Sequence, residues 1–316
     1  MTSPLRDAAE LALAAPSIFN TQPWQWILWP DRLELRADRD RQLQAVDPDG
    51  RLLTISCGVA LHHALISLPG TGVELTCLPD AGDPDLLATL RMSVEALGPP
   101  AHPELRKAIR VRRTDRRTYS GTPVAPEVIS SLIRACEAQG AHLHMVDWHQ
   151  IASMALAAVR AGAWQLSNPD YLAELEHWTH RPPWSGDGVP TGTTVTAVPR
   201  RVPVRDFAPF GGQTMPAGID NDWGAAYAIV YTASDTPRDW LSAGMALSAV
   251  LLTATAAGLA TAPISDVTEV TTAREEMRRM LSGGQPQVAL RVGHATAGDP
   301  PSTPRRPANE VIVDAQ

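Results

Sequence analysis

The decapeptide Ala15–Trp24, APSIFNTQPW, sets two prolines and a tryptophan among four small polar side chains, Ser17, Asn20, Thr21 and Gln22. Pro16 and Pro23 fix their own φ and push the residues before them out of the helical region, so no helix or central strand runs through it. What remains is a stiff, bent backbone studded with hydrogen-bonding groups. What it holds is read from a second segment further along the chain. RRTDRR, Arg112–Arg117, closes a run that also contains Arg106, Lys107 and Arg110, with Asp115 as its one acid. Such a run is either a solvated helix end or a phosphate clamp. A phosphate dianion is best held by charge-assisted, bidentate donors, which guanidinium groups supply, and Thr114 adds a hydroxyl between them.

Composition narrows the choice. The chain has 316 residues, 44% hydrophobic and 19% charged, enough apolar material for one large α/β domain or two smaller ones. A net charge of −7 argues against a general nucleic-acid binder and makes any basic patch local. Cys57, Cys77 and Cys136 are odd in number and lack metal-ligand spacing, as expected of a reduced, cytoplasmic chain. Asp7 and Glu10 interrupt the apolar N-terminal stretch, which reads as a short amphipathic helix rather than a signal peptide. Trp240–Ser265 carries no charge and is long enough to cross a bilayer. Its Ala, Gly, Ser and Thr content and the absence of a flanking basic cluster predict a buried core helix instead.

Along the chain, QWILWPDRLELRAD predicts two strands around a Pro-Asp turn, and LTISCGVALHHALIS a helix stopped by Pro69 and Gly70. VELTCLP and LLATLRMSV are short strands, and GPPAHP, Gly98–Pro103, is a joint between two parts of the chain. Beyond it, the pattern predicts a basic helix running into a turn at PELRKAIRVRRTDRR, and helices at PEVISSLIRACEAQG and IASMALAAVRAGAWQL. Strands are expected at AHLHMVDW and AAYAIVYTAS, and a final one at QPQVALRVGH. Strands and helices in both parts favour an α+β fold around one sheet or two related ones. Ser56–Leu61 and Ser242–Leu247 share S-x-G-x-A-L, a faint trace of duplication. Arg181–Asp220 holds seven prolines and six glycines, too many for regular elements. Trp184, Phe207, Phe210 and the following Trp223 make it a packed lid or arm rather than a solvated linker.

Other chemistries fit poorly. His142, His144, His149, His177 and His180 lack the cysteines or carboxylates that would complete a zinc site, so no metal is expected. There is no G-x-S-x-G elbow for a serine hydrolase. GDGVPTG mimics a dinucleotide loop but contains Pro190 and lies outside a strand-to-helix turn.

RRTDRRTYSGTPV resembles the phosphate-binding opening of flavin-dependent nitroreductases, and APSIFNTQPW resembles the family segment that touches the flavin ring and ribityl chain. GLATAPISD, from Gly258, resembles its helix-ending stretch beside the reactive flavin edge. PRRP, Pro304–Pro307, resembles its C-terminal basic pair. The order departs from ordinary members, where the arginine run precedes the A-P-S segment. It is similar to that of the dormancy-associated Acg subfamily of actinobacteria, with RDF at Arg205 and PQVALRVG at Pro286 as further landmarks. The resemblance implies a nitroreductase-like α+β fold made of two fused halves, an intramolecular pseudo-dimer, divided at 1–100 and 101–316, with residues 181–220 as a lid.

It further implies one FMN per chain and a monomer. Arg112, Arg113, Thr114 and Arg116 would meet the phosphate and ribityl chain, with Arg305 or Arg306 completing the phosphate pocket. Pro16, Ser17, Ile18, Asn20 and Gln22 would line the ring, and Pro263, Ile264 and Ser265 its N5 edge. A family acid often stands where this chain has Ser265. The implied activity is that of an FMN-dependent oxidoreductase taking hydride from NAD(P)H for a small acceptor. The alternative is a flavin-storing protein with little turnover, and a third reading is a flavin-free binding module on an old fold.

Overall fold

The computed structural model describes residues 3–68, 72–78, 82–93, 102–196 and 198–315. The expected helix stop at Pro69 and Gly70 and most of the expected joint, residues 98–101, lie outside them. The elements in order are α1 (Pro4–Ala12), β1 (Trp24–Leu28), β2 (Arg32–Ala37), α2 (Arg51–Ser67), β3 (Val73–Cys77), β4 (Leu86–Met92), α3 (Pro103–Val111), α4 (Pro126–Glu137), β5 (His142–Met145), α5 (Ile151–Ser167) and α6 (Pro169–Thr179). An irregular arm follows, and then β6 (Ala226–Thr232), α7 (Pro237–Ala256), β7 (Ala260–Ile264), α8 (Asp266–Glu269), α9 (Thr271–Met280), β8 (Gln285–Gly293), α10 (Ala308–Val311) and β9 (Ile312–Asp314).

Two sheets result, one ordered β3-β4-β2-β1-β9 and the other β5-β6-β8-β7. Read from its other edge, the second sheet is β7-β8-β6-β5, which matches β3-β4-β2-β1 strand for strand. Every shared pairing is antiparallel, and α2 and α7 occupy equivalent places in the chain order. The first sheet has one strand more: β9 returns from the far end of the chain to run parallel beside β1. In β2 the alternation is clean, with Leu33, Leu35 and Ala37 buried, whereas β8 is buried along nearly its whole length.

Helix α7 starts at a capping box in which Thr236 and Asp239 bond each other's backbone N–H, with Pro237 in the first turn. Helix α2 instead takes the Asp47 carboxylate, which accepts from Leu52 N and Leu53 N at 2.9 and 2.8 Å. These two helices form the centre of the molecule. They cross where the shared hexapeptides meet, and glycine is required there. A Cβ on Gly58 would run into the Leu241 carbonyl and lie 2.9 Å from Gly244 Cα; one on Gly244 would run into the Ile55 carbonyl and lie 2.8 Å from Gly58 Cα. Leu241 and Ile55 each precede their glycine by three residues, so the contact is reciprocal in the way a two-fold interface is. One turn on, Ser248 Oγ lies 2.8 Å from His62 Nδ1 and 2.9 Å from His63 Nδ1.

Several expectations change. The uncharged stretch to Ser265 is not one helix: it ends at Ala256, and Ala260–Ile264 turns back as β7. That strand lies at the edge of its sheet beside β8, and an edge position tolerates Pro263. The strand at Gln285 is not the last, because β9 follows it. The arm is irregular as expected, with two short 3-10 turns and one bridge between Val195 and Met215. Its aromatics are mostly not packed, however. Trp184 is 85% exposed and Trp223 66%, and only Phe207 joins the main core. Among the histidines, His142 stacks near Tyr231 and His144 bonds Gln150.

Candidate functional site

The segment after α1 holds three non-glycine residues at positive φ, Phe19 (45°), Asn20 (53°) and Gln22 (50°). For a residue as large as phenylalanine this is strained backbone, of the kind that accumulates at ligand sites. The surroundings hold it in place. Ser56 on α2 accepts from Ile18 N at 3.1 Å while its hydroxyl donates to Leu52 O, and Ser17 Oγ accepts from Gln22 N at 2.8 Å. The result turns Pro16, Ser17, Ile18 and Phe19 into the wall of a cavity of about 930 Å³ counted to its open mouth.

Four other segments supply most of the remaining wall. Helix α2 contributes Leu52, Ile55, Ser56 and Val59, and the end of β7 contributes Ala262 through Asp266. From the arginine run come Thr114 and Arg116. That run is docked beside β7, where Asp115 N donates to Thr261 O at 2.9 Å and Thr114 bridges Thr261. The arm supplies Val204, Arg205 and Phe207. The chamber is therefore mainly apolar, with a few hydroxyls and charges at set points, as small-molecule sites generally are.

A second chamber opens on the far side of Thr114, which lines both. Its wall is Arg110, Arg112, Arg113 and Thr114 on one side and Ser302, Thr303 and Arg305 on the other. Arg112 is 4% exposed, and among the described residues no carboxylate is paired with it or with Arg305. Burial, reinforced by Arg305, Arg113 and Arg116, drops the Arg112 pKa to about 9. Burial and then Arg113 lower Arg305 to about 10. The Nε atoms of both are buried with no hydrogen-bond partner. Clustered, desolvated cations with idle donors cost stability unless an anion joins them.

Arg116 faces the first chamber. Its Nη1 donates to Thr193 O in the arm at 3.0 Å, and its guanidinium lies 4.7 Å from the Phe207 ring. Arg205 is a different case. It is paired with Glu269, reaches Ser265 and Tyr171 at 3.4 Å, and stacks 4.8 Å from Phe19. Burial opposes its charge, but Glu269, Tyr171 and Asp266 outweigh that and its pKa is raised.

The structure thus brings Pro16, Ser17, Ile18, Thr114, Arg116, Pro263, Ile264 and Ser265 to one chamber and Arg112, Arg113, Thr114 and Arg305 to the other. Asn20, Gln22 and Arg306 line neither. Asn20 Nδ2 donates to Gly188 O and Pro304 O, each at 3.0 Å, and Gln22 Nε2 donates to Gly186 O at 2.8 Å. Arg306 N in turn donates to Gln22 Oε1 at 2.9 Å. Gly186 (φ 69°) packs so closely that a Cβ there would sit 2.6 Å from the Arg305 carbonyl. These residues knot the base of the arm to the C-terminal strap. Among the lining residues not marked as site residues in the sequence are Ser56, which sits inside the shared hexapeptide, Arg205 and Phe207 within the RDF landmark, and Asp266 next to Ser265.

The Nitroreductase family profile matches residues 109–294. A Mycobacterium tuberculosis H37Rv protein, Rv3131, provisionally named an NAD(P)H nitroreductase, is 39% identical over 316 residues, covering 98% of this chain and 90% of its own. The acg product of the same strain, named in the same provisional way, is 32% identical over 319 residues, covering 98% and 96%. Among solved structures, a nitroreductase with bound FMN from Desulfitobacterium hafniense DCB-2 overlaps 64% of this chain and 94% of its own at a TM-score of 0.41 and 15% identity. One with bound FMN from Bacteroides fragilis NCTC 9343 overlaps 63% and 94% at 0.38 and 12%.

Proposed function

The chain belongs to the nitroreductase family, among its Acg-like members, and from that premise we propose that it is an FMN-binding oxidoreductase whose arm acts as a lid over the flavin. The observation that carries the proposal is the pair of chambers joined at Thr114. One is an apolar slot, and the other is walled by the buried Arg112 and the half-buried Arg305, whose Nε atoms are both without a hydrogen-bond partner, with no carboxylate on its wall among the described residues. FMN has that same division, an extended apolar ring system at one end and a phosphate dianion at the other.

Arg112, Arg305 and Thr114 would hold the phosphate by charge-assisted hydrogen bonds, with Arg113 on the outer wall. Pro16–Phe19 on one side and Pro263–Ser265 on the other would border the ring. When bound, FMN supplies hydride acceptance and donation, and the protein's part is orientation, electrostatics and control of access. Asn20, Gln22 and Arg306 serve that control indirectly, by fixing the arm to the strap that carries Arg305.

The matched strand orders and the reciprocal Gly58–Gly244 contact support an internal duplication, with the two halves forming between them what a dimer interface forms elsewhere. On this reading one chain completes one flavin site without a partner chain, as a cytoplasmic monomer. A storage role is favoured by one specific observation: Val204, Arg205 and Phe207 lie over the slot, and Arg205 is pinned by a buried ion pair. Anaerobic NAD(P)H titration of the yellow protein separates the two. A gated reductase bleaches slowly as isolated and faster as Phe207→Ser. Bleaching by dithionite but by NAD(P)H in neither form leaves the storage reading.

A further inference from the structure

The slot wall carries one carboxyl group, Asp266, the first residue of α8. Beneath the arm it is 3% exposed, and its companions on the wall are poor proton carriers. Arg116 and Arg205 hold their protons too tightly to exchange them. Ser17 is committed to Gln22 N and Ser56 to Leu52 O.

One turn along α8 stands a second buried carboxylate, Glu269, and both face the guanidinium of Arg205. The pair is unequally supported. Glu269 receives Arg205 on one oxygen and Gln165 Nε2 on the other at 2.9 Å, so its charge is well compensated. Asp266 accepts from the amide of Val267 at 3.1 Å and has no side-chain donor among the described residues. When two neighbouring carboxylates are solvated so differently, the ionised form settles on the supported one and the proton on the other.

We propose that Asp266 is the proton-exchanging group of the slot, taking up a proton when an occupant is reduced and returning it when that occupant is reoxidised. The inference rests on the flavin reading above. Hydride arrives from a dihydronicotinamide donor, and the added negative charge draws a solvent proton onto the Asp266 carboxylate, forming its O–H bond. When an acceptor of the nitro or quinone class takes the hydride, its oxygen gains negative charge. The Asp266 O–H bond then breaks, the proton passes to that oxygen, and the carboxylate is restored.

Burial already lifts Asp266 to about 6, against Arg205, which favours the ionised form, and with Glu269, which opposes it. Tyr171 on α6 lies across Arg205, and Arg51 and Asp47 stand one layer out, both coupled to Glu269. Since Asp266 is protonated in both redox states well below pH 6, its redox-linked proton is confined to higher pH.

The test is spectroelectrochemical, on FMN-loaded protein between pH 5 and 8, counting protons taken up per two electrons from the pH dependence of the midpoint potential. The parent should take up as much as one proton more than Asp266→Asn at pH 7, with the difference vanishing by pH 5, and Asp266→Glu should behave as the parent does. Equal counts at every pH, with flavin bound to both, would overturn the proposal. Should the Asn variant not fold, the parent's reduced-minus-oxidised infrared spectrum decides: a carboxylic-acid carbonyl band must appear on reduction at pH 7, and its absence is equally fatal. A parent that binds no FMN is the distinct outcome that defeats the flavin reading itself.

Discussion

Arg291 and Arg112 are buried to nearly the same degree, yet their surroundings are opposite. Arg291 on β8 donates to Asp222 at 2.6 Å and to the carbonyls of Asp115 and Arg117, with its guanidinium 3.8 Å from the Tyr119 ring. Burial works against its charge, but Tyr119 and Asp222 prevail and its pKa is raised. Among the described residues the Arg112 side chain has only a long contact to Thr114 Oγ1 at 3.4 Å, and burial, then three neighbouring arginines, press its pKa down. Asp222 finishes the first group inside the fold, whereas no carboxylate among the described residues does so for the second, which on the proposed reading is finished by the flavin phosphate. Burial of a charge therefore does not separate structural from functional arginines; the presence of a counter-charge does.

The comparison breaks if removing the counter-charge from Arg291 is harmless. Asp222→Ala strands Arg291 and Arg200 and also removes the acceptor of Tyr119 N. Losing one partner of a buried pair costs about 3–5 kcal/mol, so this variant should unfold well before the parent in urea. A loss under about 1 kcal/mol would mean the network is not structural. Next in size is the crossing of α2 and α7. Gly244→Ala drives a methyl into the Ile55 carbonyl, and overpacking of this kind costs about 1–3 kcal/mol, more where backbone must shift. An unchanged unfolding midpoint would show that the two helices have slack.

The third prediction turns on Arg112 itself. Replacing an uncompensated buried cation with an apolar side chain is commonly neutral or stabilising, so ligand-free Arg112→Met should match or exceed the parent, by about 1 kcal/mol. A marked loss of stability would place Arg112 with Arg291, as a structural residue.

The smallest effect concerns the buried histidines. Burial, with a minor contribution from His102, lowers His62 to about 4. Unfolded histidine titrates near 6.5. His62 therefore contributes fully above that pH, and its contribution falls as the pH drops towards 4, because the unfolded chain binds a proton the folded one refuses. His62→Gln should lose less stability than the parent between pH 7 and 4.5, at most about 1.4 kcal/mol per pH unit. Parallel pH profiles would count against a neutral His62.

Much of this was legible in the sequence for local reasons. Pro-bounded helices, the Pro-Asp hairpin and the alternation of β2 are written in adjacent residues, and so are the wall positions Pro16–Ile18 and Thr114. What was not legible depends on partners distant in the chain. Ala260–Ile264 shares the small, uncharged composition of the helix before it, and although Pro263 bars it from an ideal helix, only the pairing with β8 makes it a strand. Strand β9 is three residues long and has meaning only beside β1. Asn20 and Gln22 look like ligand groups, but their partners are backbone carbonyls from the arm and the C-terminal strap. Asp266 closes the GLATAPISD stretch and Arg205 opens RDF, but nothing in either motif says that the two meet, which they do only after the arm folds back over α8. The exposed Trp184 and Trp223 show the reverse error, since aromatic content alone does not say which rings find a core.

The central claim, that the two chambers hold one FMN with its phosphate on Arg112 and Arg305, is tested most directly by calorimetric titration of FMN and of riboflavin into the parent and into Arg112→Ala/Arg305→Ala. Hydrogen bonds to charged groups are worth about 1.5–3 kcal/mol each. The account predicts one FMN per parent chain, bound orders of magnitude more tightly than riboflavin, and a double variant in which that preference has collapsed while riboflavin binding is unchanged. Equal affinity of the parent for the two ligands, or a double variant that keeps its preference for FMN, would contradict it.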